Sequence, residues 1–368
     1  MYRLKPTIFL LIILMTFTSC DGLKESMSKV FDTSARAKYE RKFSGPDSLL
    51  TLWKKEYSLA VANNLKIPDG FSVHAYSSAD ELHALGYSLE LVQGDELRIE
   101  VQPNSSQTKF FIDVYEDAQA PEPTESELLE NGLFSKVIER NGTYRVVLQP
   151  EIMHRGNFTL SFYTQPSLAF PVAGKGNKDA QSFWGAERDS GARSHEGVDI
   201  FAPRGTPVVA VTNGYITRTG NSGLGGKQVW QRDGVFGQSY YYAHLDSIIA
   251  FDGQQVKAGD TLGLVGSTGN AEGGAPHLHF GIYTRGGAVN PYPFIRKRAV
   301  PSKTEAVNPP GNSLKSGTNI RLGPGTDYAI AKTSSEATQV QILAGNGKWS
   351  HIRLKDQTEG FVTVSQLK

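Results

Sequence analysis

Cysteine is nearly absent: Cys20 stands alone among 368 residues. A disulfide within the chain is excluded, and so is a metal cage built from several thiolates. Any metal would need nitrogen and oxygen donors. Net charge is lacking as well, with 38 Lys and Arg against 37 Asp and Glu. That balance gives no electrostatic steering toward nucleic acid, so no nucleic-acid partner is expected. Helical periodicity is scarce, alternation of apolar and polar residues is common, and 38 glycines punctuate the chain. A mainly β protein is expected. The length leaves room for two to four domains.

The N-terminus departs from this composition. "MYRLKPTIFLLIILMTFTSC" places Arg3 and Lys5 before an apolar stretch from Ile8 to Phe17, then small polar residues before Cys20. These are the three parts of a secretory signal at 1–19, too short for a comfortable membrane span. "FTSC" resembles the lipobox of bacterial lipoproteins, with Phe17 where leucine is more usual. The resemblance implies that Cys20 becomes the lipidated first residue. The mature chain would then be an exported lipoprotein of the cell envelope, anchored to a membrane and otherwise soluble. A plain signal peptide with a chance cysteine is the alternative.

Residues 20–46 are polar and charged and read as a tether. From Ser48 the spacing predicts a helix, with Leu49, Leu52, Trp53, Tyr57, Ala60 and Val61 on one face, Ser48 as cap and Pro68 beyond the end. Alternation then takes over at Leu97, Ile99 and Val101, at Phe110, Ile112 and Val114, at Tyr144, Val146 and Leu148, and at Phe158, Leu160 and Phe162. Residues 47–166 therefore read as a helix plus an antiparallel β-sandwich. The acidic stretch 116–130 reads as a long loop interrupting it. Short strands and glycine turns continue over 167–297, and 298–312 form a Pro/Ser/Lys-rich linker.

The last unit, 313–368, contains "TNIRLGPGTDY", "GKWSHIRL" and "EGFVTVSQL". It resembles the bacterial SH3-like barrel, with Asn319, Arg321, Gly323, Pro324, Trp349 and Gly360–Val362 at that module's characteristic places. The resemblance implies a small barrel that binds cell-wall peptide. A structural cap on the preceding domain is the alternative.

Four of the eight histidines fall between 195 and 279. In "GAPHLHFGIY", His277 and His279 would share one face of a strand while Leu278 turns to the core. In "RSHEGVDIFAP", His195 precedes Asp199 by four residues, and Gly197, Val198, Ile200 and Pro203 favour an extended segment. In "YYYAHLDSI", His244 follows an aromatic run. His74, His83, His154 and His351 are scattered, and a surface or satisfied-core role suffices for each. A catalytic zinc site needs three protein ligands and an open fourth position, and imidazole and carboxylate are suitable donors.

On these motifs and their flanks, residues 167–296 resemble the lysostaphin/LytM-type zinc metallopeptidases, the M23 peptidase family. "SHEGVDIFAPRGTPV" matches its His-x-x-x-Asp motif and following strand, "YYYAHL" its Tyr-x-His-Leu segment, and "GAPHLHFGI" its His-x-His motif, in the family's order. The resemblance implies a β-rich peptidase domain at 167–297 holding one zinc ion through His195, Asp199 and His279. It implies catalytic roles for His277 and His244. We expect His277 to take the proton of the attacking water and His244 to hydrogen-bond the oxyanion, with the two roles open to exchange. Some members carry a tyrosine shortly before the first ligand; "ERDSGARSH" has none, which leaves Arg193 as a substitute. The implied activity is a zinc metalloendopeptidase acting on peptide bonds of bacterial peptidoglycan. The alternative is a non-enzymatic, wall-associated regulator that activates other hydrolases. The scissile bond and the oligomeric state are left open.

Overall fold

The computed structural model describes residues 34–77, 82–103, 109–117, 119–129, 131–152, 154–234, 237–301 and 310–368. The signal segment, Cys20 and most of the expected tether lie outside the described residues. The protein is mainly β, as its alternation predicts.

The first unit comprises helices α1 (Ala35–Lys42) and α2 (Asp47–Ala62) and eight strands. These are β1 (Phe71–Ser77), β2 (Leu85–Leu91), β3 (Asp95–Pro103), β4 (Phe110–Tyr115), β5 (Glu125–Leu129), β6 (Leu133–Val137), β7 (Gly142–Pro150) and β8 (Gly156–Pro166). One sheet runs β2-β7-β4-β5 and the other contains β1-β8-β3-β6. Leu97, Ile99 and Val101 point inward from β3, and Ile112, Val114, Val146 and Leu148 point inward from the opposite sheet. Each large apolar side chain buried in this way stabilises the fold by roughly 1.5–3 kcal/mol. The acidic stretch expected as a loop includes β5, which pairs with β4 from Phe110↔Leu129 to Val114↔Glu125. It lies at the edge of its sheet with Glu125 and Glu127 in it, and charge on an edge discourages pairing with other chains.

All six residues of β4 are buried, because α1 and α2 cover the outer face of its sheet. Phe111 meets Trp53 and Tyr39 there, and the Trp53 indole N–H donates to the Pro150 carbonyl at 2.9 Å. Gly86 lets α2 lie close on β2, since a side chain there would run into the Ala60 carbonyl. Helix α1 occupies part of the expected tether. Arg36 anchors it, donating to Asp113 (2.7 Å) and Gln149 (2.6 Å) and lying over the Tyr57 ring at 4.0 Å.

The second unit contains β9 (Ala180–Ser182), β10 (Glu187–Arg188), β11 (Arg193–Ser194), β12 (Val198–Phe201), β13 (Pro207–Val209), β14 (Gly214–Asn221) and β15 (Lys227–Arg232). It continues with β16 (Ser239–Ala243), β17 (Leu245–Ile248), β18 (Gln255–Val256), β19 (Thr261–Val265), β20 (His277–Thr284), β21 (Gly287–Val289) and the short helix α3 (Tyr292–Ile295). Its main sheet runs β18-β14-β15-β16-β20-β12-β9, with β21 on β20, beside a three-stranded sheet β13-β19-β17. Val198, Ile200, Leu278, Phe280 and Ile282 lie in the core between them. Arg298, just past α3, donates twice to Asp95 at 2.8 Å and once to Asp69 at 2.7 Å, which fastens this unit to the first.

The last unit holds β22 (Ser313–Leu314), β23 (Asn319–Arg321), β24 (Ile330–Thr333), β25 (Thr338–Gln339), β26 (Gln341–Gly345), β27 (Trp349–Arg353) and β28 (Glu359–Thr363). It has a small apolar core around Ile320, Ile352 and Val362. Its sheet does not end at its own edge. Strand β26 pairs with β1 at His74↔Gly345 and Ala75↔Ala344, giving one nine-stranded sheet β24-β23-β28-β27-β26-β1-β8-β3-β6. Trp349 and Phe361 join the sandwich core. Buried polar groups cross the same seam: Arg353 donates to Glu56 at 2.6 Å, and His351 lies between Tyr87 and Glu359 at 3.0 Å from each. His351 is thus a satisfied core histidine.

Candidate metal and catalytic site

Strands β12 and β20 run antiparallel in the register Val198↔Phe280, Asp199↔His279, Ile200↔Leu278 and Phe201↔His277. The period of two sends Val198, Ile200, Leu278 and Phe280 to the core and leaves Asp199, Phe201, His277 and His279 on the opposite face. Apolar burial of one face thereby fixes the position of the polar face.

Two other elements complete the cluster. The hairpin β10–β11 delivers His195, whose backbone N–H donates to Ala186 at 2.8 Å and whose ring Nδ1 is 2.9 Å from the Phe183 carbonyl. Strand β16 pairs Ala243 with His279, so His244 emerges beside the cluster. Its φ of 63° is left-handed, a conformation costly for a non-glycine residue and frequent at functional sites. That turn redirects the chain from β16 into β17.

His195 Nε2, Asp199 Oδ1 and His279 Nδ1 lie 3.0 Å from one another. A carbonyl can only accept, so His195 Nδ1 carries a proton toward Phe183 and the neutral ring has its lone pair at Nε2. Burial alone would raise the Asp199 carboxyl, but the adjoining His195 and His279 outweigh it and hold the group below the usual carboxylate range. An anionic oxygen and two imidazole nitrogens this close require a shared proton or cation. A triangle of these sides has a circumradius of about 1.7 Å, so a point about 2 Å from all three atoms exists, the bond length zinc takes with nitrogen and oxygen. The donor set therefore fits a divalent ion. Gly197 makes the arrangement possible: a Cβ there would lie 2.7 Å from His279 Nε2 and 2.8 Å from the Phe280 carbonyl, and closer still to Cε1.

His277 and His244 flank this point with ring centroids 5.0 Å apart. His277 rests on Phe201 and donates from Nδ1 to the Ala275 carbonyl at 2.9 Å. His244 donates from Nδ1 to the Thr268 carbonyl at 2.8 Å, and burial pushes its pKa down to about 4. With Nδ1 donating to a backbone carbonyl, each ring in its neutral form presents an unprotonated Nε2. The five residues line a cleft of about 950 Å³, bordered also by Arg193, Leu224, Trp230, Tyr241 and Tyr283. The structure thus brings together all five residues expected at the site. Cys20, the expected lipidation site, lies outside the described residues.

Sequence reasoning missed Arg188 and Ser182. Arg188 Nη2 donates to Asp199 Oδ2 at 2.8 Å and to Ser182 Oγ at 2.6 Å. Arg188 lies seven residues before His195 in a turn-rich segment, and nothing local marks it.

Residues 193–291 match Peptidase family M23. The chain is 36% identical over 140 residues to the L-Ala--D-Glu endopeptidase of Bacillus subtilis (strain 168), covering 35% of this chain and 43% of that protein. It is 42% identical over 99 residues to the DD-carboxypeptidase/endopeptidase Mpg of Neisseria meningitidis serogroup B (strain ATCC BAA-335 / MC58), covering 27% and 22%. Among solved structures it is similar to the catalytic domain of lysostaphin from Staphylococcus simulans, at 34% identity and a TM-score of 0.29, covering 31% of this chain and 89% of that one. The chain spans less than half the length of the curated relatives it matches. Residues 193–291 are thus similar to Peptidase family M23, and the His195, Asp199 and His279 cluster lies inside the matched stretch.

Proposed function

We propose that this chain is a zinc metalloendopeptidase that hydrolyses peptide bonds in bacterial peptidoglycan. The observation that carries the reading is the triangle of His195, Asp199 and His279 donor atoms, open to a cleft that holds two further imidazoles, His244 and His277. The similar proteins named as endopeptidases, L-Ala--D-Glu and glycyl-glycine among them, support the substrate class.

His195, Asp199 and His279 would hold one zinc ion. When bound, zinc supplies Lewis-acid polarisation of the scissile carbonyl and lowers the pKa of water at the site. His277 takes the water's proton at its free Nε2, its ring held by the Ala275 carbonyl and Phe201, and passes that proton to the leaving amine. A positioned base of this kind is worth typically about 10²–10⁴-fold. The expected oxyanion-donor role does not suit neutral His244. Its one N–H is committed to Thr268, so its Nε2 accepts a hydrogen bond and orients the water instead.

Lipid anchoring through Cys20 would place the enzyme in the cell envelope, and the C-terminal unit, read as an SH3-like module, would meet wall peptide. The test is digestion of purified peptidoglycan with mass analysis of the fragments, for the wild type and for His279→Ala. Peptide-bond cleavage by the wild type and none by the variant supports the proposal. Equal fragment release by both, or no zinc in the purified wild type, refutes it.

A further inference from the structure

Asp199 offers two oxygens, and the structure gives them different work. Oδ1 faces His195 and His279, whereas Oδ2 accepts from Arg188 at 2.8 Å. Arg188 is braced in turn by Ser182 at 2.6 Å, and Ser182 is the backbone partner of Asp199 across β9 and β12. Arg188 also belongs to the hairpin that delivers His195. Its residue pairs with Arg193, and the hydrogen bond from His195 N to Ala186 O extends the same ladder. One hairpin therefore carries a ligand and a clamp on a second ligand from another strand.

A carboxylate can meet a metal ion through one oxygen or through both. A charge-assisted bond to guanidinium is a strong competitor for the second oxygen. Residues that hydrogen-bond to metal ligands orient them and tune the ion. We infer that Arg188 is a positioning residue that holds Asp199 to one-oxygen ligation, keeping Oδ2 off the ion and a coordination corner free for water and substrate. The inference rests on the zinc-peptidase reading above. Without Arg188, a small rotation of the carboxylate would bring Oδ2 toward the same point beside the water, raising the coordination number and crowding the place substrate needs. The positive charge near the ion also disappears. The loss should therefore lower turnover by about 10–100-fold, while zinc affinity stays the same or rises.

The test uses the full chain, stripped of metal and reloaded with Co²⁺, as wild type, Arg188→Ala and Arg188→Lys. Visible absorption reports coordination number, because four-coordinate cobalt absorbs more strongly than five-coordinate cobalt. Zinc affinity is measured by competition with a chelating dye, and kcat on wall peptide. The expected result is a strong spectrum for wild type, a weakened one with lowered kcat and undiminished zinc affinity for Arg188→Ala, and recovery toward wild type in Arg188→Lys. Unchanged spectrum and kcat in Arg188→Ala overturn the inference. So does a parallel fall of zinc affinity and kcat, which would make Arg188 only a scaffold for the ligand set. A wild type that takes up neither metal overturns the peptidase reading instead. Should Arg188→Ala fail to fold, Arg188→Gln, which keeps most of the stem, gives the same readings.

Discussion

Gly197→Ala is the sharpest perturbation of the candidate site. Residue 197 lies between His195 and Asp199, yet the space its side chain would need belongs to His279. The added Cβ would sit 2.7 Å from Nε2 and 2.8 Å from the Phe280 carbonyl, against an ordinary contact distance of 3.4–4 Å. The carbonyl belongs to β20, whose pairing with β12 and β16 resists movement. The ring must therefore retreat, by up to about 1 Å, half the length of a zinc–nitrogen bond. Misplacement of a reacting group by about 1 Å costs on the order of 10²-fold, or about 2.7 kcal/mol of transition-state stabilisation. Zinc affinity should fall as well, because His279 Nδ1 leaves its 3.0 Å triangle. The clash with the Phe280 carbonyl also strains the backbone of β20, so the metal-free protein should melt lower as well, and activity and zinc content are compared on protein that remains folded. The assay is muropeptide release from purified sacculi at fixed zinc, with metal content and melting measured alongside. Wild-type activity and zinc content in a folded Gly197→Ala protein would show that His279 is not held as described, and the ligand assignment would fail with it.

Four further outcomes follow from the same structure. His277→Ala should keep zinc and lose about 10²–10⁴-fold in kcat, whereas His195→Ala should lose both; zinc titration and initial rates separate the two. Arg36→Ala strands Asp113, which is 1% exposed, and should cost about 3–5 kcal/mol in urea unfolding of the first unit; a change under about 1 kcal/mol, the range of an exposed ion pair, would mean that α1 is not docked. Removing 313–368 uncovers β1 and leaves Glu56 without Arg353, so melting of the sandwich should drop markedly, and an unchanged melting temperature would contradict the shared sheet. For Glu359, burial raises the pKa but hydrogen bonds from His351 and Arg353 outweigh it, so the folded value lies below the unfolded one. Its stabilisation is present above about pH 4.3, the ordinary glutamate value, and is lost as pH falls through the folded value; Glu359→Gln should flatten that acid limb, and identical pH profiles would refute the pairing.

The ligand strands were the most legible part of the chain. In "GVDIF" and "HLHF" the polar residues alternate with apolar ones, and alternation on a strand states directly which side chains share a face. The same logic identified the sandwich strands around Ile99, Ile112 and Phe162. It did not reach β5, where Glu125 and Glu127 made a strand look like a loop. Nor did it reach Arg36, whose polar surroundings read as a tether. The partners of Arg36, Asp113 and Gln149, lie 77 and 113 residues away, and no spacing rule connects them. Arg188 escaped for a similar reason: its meaning depends on which oxygen of Asp199 it meets.

Composition and period determined that this chain is mainly β and which polar residues share a strand face, properties written locally in the order of apolar and polar residues. The choice of His195, Asp199 and His279 as candidate ligands followed from the resemblance to the M23 family. Folding in three dimensions alone decided that β26 joins β1 across more than 260 residues of chain, that α1 docks through a buried guanidinium, and that Arg188 claims the second oxygen of Asp199. Strand pairing and ion pairing between distant segments depend on which surfaces meet. No local pattern encodes that meeting, because its energy arises only when burial brings both partners out of water.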